Sequence, residues 1–296
     1  MLANRQVRWK ALSMHQKQRD VLHQSTETRT VTRLRNGVTH EVADCLVVEE
    51  PLEIRISGRR FTTTMRTPGH DIELARGLLF TEGVVRDNDD IEEIITSTRC
   101  REHNTELINV VNVTVPELEA LPDHLWERAL ISNSSCGLCG KASIEALKTK
   151  VALLPDHSPV AMETLLRLPH LMREKQELFQ STGGLHAAGI FTARGECLAL
   201  FEDIGRHNAT DKAIGCGLRA GWLPCATQDE PLVLLVSGRS SFEITQKALM
   251  ARIPVVCSVS AASTLAVELA AANNQTLIGF LRDASCTIYC GQQRVC

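Results

Sequence analysis

The chain has 296 residues, of which 44% are apolar and 23% are charged, so it can bury one large core or two moderate ones without a disulfide or a metal. The formal net charge is −3 and aromatic residues make up only 4%, which disfavours a nucleic-acid-binding protein. The sequence shows no signal peptide and no membrane-spanning apolar run, so we expect a soluble, cytoplasmic protein with no membrane partner.

In chain order, residues 1–30 form a polar arm of mixed charge, and residues 31–129 are predicted to form an N-terminal α+β domain. Apolar and polar residues alternate over 31–65. The pairs Asn36-Gly37 and Ser57-Gly58 are typical of tight turns and interrupt this alternation. Together these features predict hairpins of an antiparallel sheet.

Further along, the apolar spacing becomes helical over residues 70–83, with Gly83 as a candidate C-cap. Alternation returns over 106–115, which predicts another strand. A second domain is predicted for residues 130–296. It opens with a polar, glycine-bearing loop at 131–140 that lies between two helical patterns.

The last third of the chain has the pattern of an α/β fold. Apolar runs at 232–236, 254–259 and 276–281 alternate with helical patterns at 242–251 and 263–272. Continuous apolar strands separated by helices predict a parallel sheet covered on both faces. Such sheets bind ligands beyond the carboxyl ends of their strands, where the start of a helix suits a phosphate.

Three short segments follow these strand ends and are candidate ligand-binding loops, namely Ser237–Ser240, Ser260–Ser263 and Arg282-Asp283. Ser240 and Glu243 are spaced as a capping box for the helix that follows the first strand. Two glycine-flanked histidines, His186 and His207, lie in separate loops and indicate a shared site. The candidate cations of a pocket for an anionic ligand are Arg206, Lys212, Arg239, Lys247 and Arg282.

Two of the eleven cysteines, Cys136 and Cys139, stand in the polar loop beside Lys141 and just before a predicted helix at 142–148. The positive end of a helix and a nearby ammonium group both favour the thiolate form of a cysteine. A thiolate is what a nucleophilic or sulfur-accepting cysteine requires. This loop is therefore the candidate reactive site.

Other interpretations of the Cys-x-x-Cys pair remain open. A structural zinc site would require a second such pair, which the sequence lacks. A thioredoxin-like redox pair would normally follow an early strand of a βαβ unit. The deaminase pattern H-x-E with P-C-x-x-C is not matched at His186 or before Cys136. The C-terminal Cys286, Cys290 and Cys296 match no zinc spacing.

Six blocks of the chain resemble the formate dehydrogenase accessory sulfurtransferases, the FdhD family. They are His70–Gly83, Ser134–Lys141, Thr182–Ala188, Asp203–Lys212, Ser237–Glu243 and Leu265–Ala270. The resemblance covers about residues 30–290. Arg252 and Ala262 stand where the family usually has glycine and proline, so either residue could alter a turn.

The resemblance implies an α/β fold with a larger, cytidine-deaminase-like C-terminal domain and a smaller N-terminal α+β domain. It implies that Cys136 accepts sulfane sulfur from a cysteine desulfurase as a persulfide, with Cys139 either assisting the transfer or resolving the product as a disulfide. The implied recipient is molybdenum bis-molybdopterin guanine dinucleotide, the cofactor of formate dehydrogenase, for which a guanine nucleotide is a partial mimic. A homodimer is also implied.

The family's cofactor-binding stretch maps onto Phe280, Leu281, Arg282, Asp283, Ala284 and Ser285. To these the strand-end and glycine-loop arguments add Arg239, Arg206 and His207 as candidate cofactor-binding residues, and we expect no metal site. A different class of function remains open: a non-catalytic chaperone that binds the molybdenum cofactor and docks it into formate dehydrogenase. The cysteine loop favours the sulfurtransferase.

Overall fold

The computed structural model describes residues 25–101, 104–116, 153–225 and 230–296, with the main chain alone at 98–101 and 104–108. The strands are β1 Thr26–Arg35, β2 Val38–Val47, β3 Glu50–Ile56, β4 Arg59–Arg66, β5 Glu93–Arg101, β6 Asn104–Thr114, β7 His186–Thr192, β8 Cys197–Asp203, β9 Leu232–Val236, β10 Val255–Ser258, β11 Thr276–Arg282 and β12 Ser285–Cys290. The helices are α1 Asp71–Thr81, α2 Met162–Glu174, α3 Glu177–Thr182, α4 Arg206–Ala220, α5 Phe242–Met250 and α6 Thr264–Ala272, followed by a 3-10 turn at Gln292–Arg294.

The first hairpin forms a two-stranded ribbon of β1 and β2, paired antiparallel along all ten residues of each strand. Both residues of its Asn36-Gly37 turn have positive φ, 51° and 80°, as a type I′ turn requires. The predicted hairpin is confirmed, but it forms a sheet of its own. β1 begins at Thr26, so residues 26–30, which we assigned to the polar arm, belong to this strand.

The other strands of the N-terminal region form a four-stranded sheet in the order β4-β3-β6-β5. β3 pairs antiparallel with β4, and β5 pairs antiparallel with β6, but β3 and β6 run parallel. The predicted second hairpin, β3 and β4 with its turn at Ser57-Gly58, is therefore confirmed, but it belongs to a mixed sheet and not to an antiparallel one. The crossover between β3 and β6 includes α1, the helix predicted for 70–83, and parallel neighbours require such a long connection.

A six-stranded sheet in the order β12-β11-β10-β9-β7-β8 forms the centre of the C-terminal region. The predicted parallel strands β9, β10 and β11 are confirmed, and β7 and β12 flank them antiparallel. Alternate residues of β9 pack into two different cores, with Leu234 in one and Leu235 in the other. The sheet is therefore covered on both faces, with α2 contributing to the second core.

Helices α1 and α4 cross in direct backbone contact. A Cβ on Gly77 would overlap the carbonyl oxygen of Asp211, and a Cβ on Gly215 would overlap that of Glu73. Only glycine leaves room for the two helix backbones to approach this closely. The crossing therefore joins the N-terminal region, which contains α1, to the C-terminal region, which contains α4.

One apolar core continues through both regions that the sequence assigned to separate domains. It contains Leu52 and Val111 of the four-stranded sheet together with Leu234 and Val256 of the six-stranded sheet. Burial of one shared core couples the two regions energetically. In the described ranges, no helix is both long enough and apolar enough to span a membrane.

Candidate functional site

The loop with Cys136 and Cys139 lies outside the described residues. The candidate site that the structure describes is the edge of the six-stranded sheet where β9, β10 and β11 end.

Hydrogen bonds connect the three loops at this edge. The Ser240 amide donates to the Ala261 carbonyl at 3.1 Å, and the Ser263 amide donates to the Ser240 carbonyl at 3.1 Å. The Phe280 amide donates to the Ser260 carbonyl at 3.0 Å. The loops predicted separately from the sequence are therefore neighbours, and they bring the segments that contain Arg239 and Phe280 to one edge.

Two helices begin at this edge, and each has a serine N-cap. The Ser241 hydroxyl accepts the Ile244 amide of α5 at 3.5 Å, and the Ser263 hydroxyl accepts the Ala266 amide of α6 at 3.3 Å. The predicted capping box of Ser240 and Glu243 is wrong by one residue. Ser240 is buried, and its hydroxyl makes no hydrogen bond within the described part of the chain.

His186, at the start of β7, contacts the loop that follows β9. Its Nδ1 lies 3.5 Å from the Ser237 hydroxyl, which accepts the Ala187 amide at 2.9 Å. A Cβ on Gly238 would lie 3.4 Å from the His186 ring and 3.3 Å from Cδ of Arg206. Glycine at position 238 therefore lets the imidazole and the arginine approach the same loop.

Burial lowers the pKa of His186 below its usual range, and the charges of Arg206 and His207 lower it further. The neutral imidazole is therefore the favoured form of His186 at pH 7. The Nε atom of Arg206 is buried and has no hydrogen-bond partner among the described residues. Arg206 is thus a cation at the start of α4 with an unused donor, a combination that suits an anionic ligand.

His207 is held by Glu243, and its Nε2 lies 2.7 Å from Oε2 of that carboxylate. The hydrogen bond from His207 lowers the pKa of Glu243, which keeps the carboxylate ionised. His207 is among the groups that lower the pKa of His186, so the two glycine-flanked histidines lie near each other, and their sharing of one functional site stays a prediction. The role of Glu243 was missed, because the sequence pattern suggested a cap instead.

Two of the five predicted pocket cations are not available to a ligand. Lys212 lies 2.8 Å from Asp203 and donates to the Thr67 carbonyl at 3.0 Å, with 1% of its side chain exposed. Lys247 is buried and donates to both oxygens of Asp211, at 2.9 and 2.8 Å. Both lysines are structural ion-pair partners, so the prediction that they line a positive pocket is wrong.

The segment from Phe280 to Ser285 forms the end of β11 and its turn into β12. Arg282, Asp283, Ala284 and Ser285 are exposed, and so is Arg239 in the loop after β9. Leu281 is completely buried in the core next to α2, so its side chain cannot contact a ligand. In the described ranges, no three His, Cys, Asp or Glu side chains are grouped as metal ligands.

Comparison with known proteins identifies sequence relatives over most of the chain. The model of the FdhD/NarQ family matches residues 47–296. The sulfur carrier protein FdhD of Streptomyces avermitilis is 47% identical over 273 residues, which cover 91% of this chain and 95% of the relative. The protein of the same name from Mycolicibacterium paratuberculosis is 46% identical over 274 residues, covering 92% of this chain and 99% of the relative.

The fold also has a counterpart among crystal structures. A protein described as a candidate formate dehydrogenase accessory protein from Desulfotalea psychrophila superposes with a TM-score of 0.69 at 20% sequence identity. The match covers 92% of this chain and 100% of the other. The mixed α/β architecture is therefore shared, while the expected likeness to cytidine deaminases stays a prediction.

Proposed function

Since the chain belongs to the FdhD/NarQ family, we propose that it is a sulfurtransferase that carries sulfur on Cys136 for a formate dehydrogenase. The observation that carries the proposal is the identity to curated sulfur carrier proteins over nine-tenths of the chain, a span that includes the Cys136 loop. The donor in this proposal is a cysteine desulfurase. The recipient is the molybdenum bis-molybdopterin guanine dinucleotide of the dehydrogenase, which is a substrate here.

The first transfer is a thiol–persulfide exchange. The Cys136 thiolate attacks the sulfane sulfur of the desulfurase persulfide, the donor S–S bond breaks, and the desulfurase cysteine leaves as a thiolate. In the second transfer the Cys136 S–S bond breaks and Cys136 leaves as a thiolate. The sulfane sulfur takes two electrons from the reduced molybdenum of the substrate and becomes its sulfido ligand. Cys139 assists release by donating its thiol proton to the departing Cys136 thiolate.

The strand-end site supports the second half of this proposal. The cofactor carries phosphate groups, and Arg206, Arg239 and Arg282 provide cations at the edge where two serine-capped helices begin. His207, held by Glu243, stands at the same edge. We propose that these groups hold the cofactor while the cysteine loop delivers the sulfur.

The first test is mass spectrometry after incubation with a cysteine desulfurase and cysteine. The wild-type protein should gain about 32 Da, the mass of one sulfur atom on cysteine. Cys136→Ala should abolish this gain, and Cys296→Ala, which removes an exposed cysteine far along the chain, should retain it. A desulfurase-dependent gain that persists in Cys136→Ala would make the assignment of Cys136 wrong.

A second experiment separates a carrier from a chaperone, because both must bind the cofactor. Cys136→Ser keeps the shape of the side chain, but the pKa of a hydroxyl lies far above the thiol pKa of about 8.5. A serine also has no sulfur with which to form a persulfide. We expect this variant to bind guanosine diphosphate like the wild type and to yield a formate dehydrogenase that contains molybdenum but is inactive. Wild-type enzyme activity with the serine variant would instead support the chaperone.

A further inference from the structure

A buried arginine lies on α1 near the point where this helix crosses α4. Arg76 is only 9% exposed. Its Nε and Nη1 atoms are buried and have no hydrogen-bond partner among the described residues. Buried guanidinium groups are normally paired, because a charged donor without an acceptor costs free energy. Arg76 therefore indicates an acceptor that the described part of the chain does not supply.

The carboxylate three residues earlier on α1, Glu73, is held by another arginine. Residues three apart on a helix are neighbours, so Glu73 is placed to pair with Arg76. Instead, its Oε1 atom pairs with Nη1 of Arg219 of α4, and its Oε2 atom lies 4.0 Å from Nδ1 of His70. Burial lowers the pKa of His70, so the neutral imidazole is favoured at pH 7. One carboxylate thus stands against two arginines.

The close helix crossing brings these two arginines together. A Cβ on Gly215 would overlap the Glu73 carbonyl, so α4 passes directly over this turn of α1. Arg219 lies one helical turn after Gly215, and its side chain is 49% exposed. Burial lowers the pKa of Arg76, and the positive charge of Arg219 lowers it further. The two cations therefore repel each other across one shared carboxylate.

Cys216, the residue after Gly215, belongs to the same group of side chains. Burial raises the pKa of its thiol, although the charge of Arg219 and a hydrogen bond with it act in the opposite direction. The thiol is therefore uncharged at pH 7. Glu73, Arg76, Cys216 and Arg219 form the crossing cluster, which has two cations and one anion and so carries one positive charge in excess.

We propose that the crossing cluster binds a free tetrahedral oxyanion, of the size and charge of phosphate or sulfate, between Arg76 and Arg219. Each guanidinium presents a planar fork of donors, and a tetrahedral anion has enough oxygens to accept from two forks at once. An arginine side chain is rich in rotamers, so Arg76 can turn its donors to an anion that enters beside the exposed Arg219. The bound anion joins α1 to α4.

This site is separate from the strand-end site. Arg206, the first residue of α4, belongs to the strand-end site, and about 20 Å of helix separates it from Arg219. The inference therefore goes beyond the proposed function and does not depend on it.

Protection of Cys216 from alkylation tests the proposal at the site itself. Peptide mass spectrometry follows labelling of the wild-type protein by iodoacetamide in potassium phosphate, sulfate or chloride of equal ionic strength. At ten times their dissociation constants, phosphate and sulfate should slow labelling of Cys216 about tenfold relative to chloride. Cys197, another partly buried cysteine whose pKa burial raises, should react at one rate in all three salts. Equal rates at Cys216 in the three salts would overturn the proposal.

Phenyl phosphate distinguishes a free oxyanion from a phosphoryl group on a larger molecule. Glu73 and Arg76 are buried, so the phenyl ring should not enter the crossing cluster and should leave labelling of Cys216 unprotected. Protection equal to that by inorganic phosphate would contradict a site for a free anion.

Thermal unfolding of variants shows whether Arg76 holds the anion. Arg76→Leu removes the unpaired guanidinium, so in chloride it should unfold at no lower temperature than wild type. In phosphate it should lose the rise in melting temperature that wild type gains over chloride. Arg76→Lys keeps the charge without the fork and should retain part of that rise. A rise in Arg76→Leu equal to that of wild type would contradict the site.

Two controls separate this site from other effects of phosphate. Arg167→Leu replaces an exposed arginine of α2 and should keep the whole rise in melting temperature. Arg282→Ala changes the strand-end site and should keep the protection of Cys216 by phosphate. Loss of that protection in Arg282→Ala would place the anion at the strand ends and overturn the inference.

Discussion

At the scale of single residues, the two buried lysines show why a list of cations is a poor guide to a binding pocket. Lys212 follows Arg206 by six residues and Lys247 follows Arg239 by eight, and the sequence does not distinguish the lysines from the arginines as pocket cations. The structure does, because Asp203 and Asp211 reach the lysines from within the fold. Each pair is fully desolvated, so neither partner can be removed without leaving a buried charge.

Asp211→Ala should therefore destabilise the protein strongly. The variant leaves the Lys247 ammonium buried without its carboxylate, which costs about 3–5 kcal/mol of unfolding free energy. Glu268→Ala removes an exposed carboxylate of α6 and should change the unfolding free energy by less than about 0.5 kcal/mol. Urea unfolding of both variants checks the difference. Similar small effects would mean that the ion pair is not maintained in solution.

Arg252 has φ 55° in the turn after α5. Arg252→Gly should raise the unfolding free energy by about 1 kcal/mol, because glycine adopts this conformation without strain. Asn274→Gly, at φ 57°, should instead lower the unfolding free energy, since asparagine tolerates the left-handed region better and its side chain donates to the Leu154 carbonyl and accepts from the buried Arg294. Thermal unfolding of the two variants gives the comparison, and a lower melting temperature for Arg252→Gly would contradict the explanation.

At the scale of elements, the sequence predicted the strands that have a continuous apolar pattern. It missed an element whose buried polar residues depend on partners elsewhere in the chain. β9, β10 and β11 were predictable because strands buried on both faces are apolar throughout. Helix α4 was not predicted, since its buried positions include Asn208, Asp211 and Lys212, whose partners lie elsewhere in the chain. The N-cap of α5 is Ser241, which directly follows Ser240. The sequence does not show which of these two serines caps the helix, and the backbone conformation decides it.

The close crossing of α1 and α4 should reverse the usual effect on stability of replacing a helical glycine with alanine. Alanine normally stabilises a helix by about 1 kcal/mol relative to glycine. Gly215→Ala should instead destabilise the protein by about 1–3 kcal/mol, because the new Cβ overlaps the Glu73 carbonyl and forces the helices apart. Gly184→Ala is the control, since its Cβ would meet Val47 at an ordinary 3.5 Å. Stabilisation by Gly215→Ala in denaturant unfolding would contradict the close contact.

At the scale of the whole molecule, one core joins the sheet that bears the candidate site to the N-terminal sheet. The strand ends that form the candidate site were predictable in their location, because the strands of a parallel sheet are found from apolar runs alone. Its internal contacts were not, since His186, Arg206 and Glu243 come from three distant segments. Their proximity is a property of the assembled fold.

Two partly or fully buried histidines make stability depend on pH. Burial lowers the pKa of His157 and of His186 below the usual value near 6.5, so the unfolded chain binds protons that the folded chain resists. Above about pH 7 both states are neutral at these groups, and below about pH 6.5 the unfolding free energy should fall. Urea unfolding at pH 7.5 and 5.5 should show a smaller fall for His157→Gln and His186→Gln than for wild type. An equal fall in all three proteins would exclude these histidines as its cause.

The ribbon of β1 and β2 has a consequence for hydrogen exchange. In the described part of the chain its twenty residues pair with each other alone, and most of them are exposed. A two-stranded hairpin is marginally stable, so it can open while the shared core stays closed. Its amides should exchange through local openings, at rates that small amounts of denaturant leave unchanged. The amides of β9 and β10 should exchange only when the whole protein unfolds. Beside its stable core, the protein would then have a ribbon of some 34 Å that opens and closes independently of global unfolding.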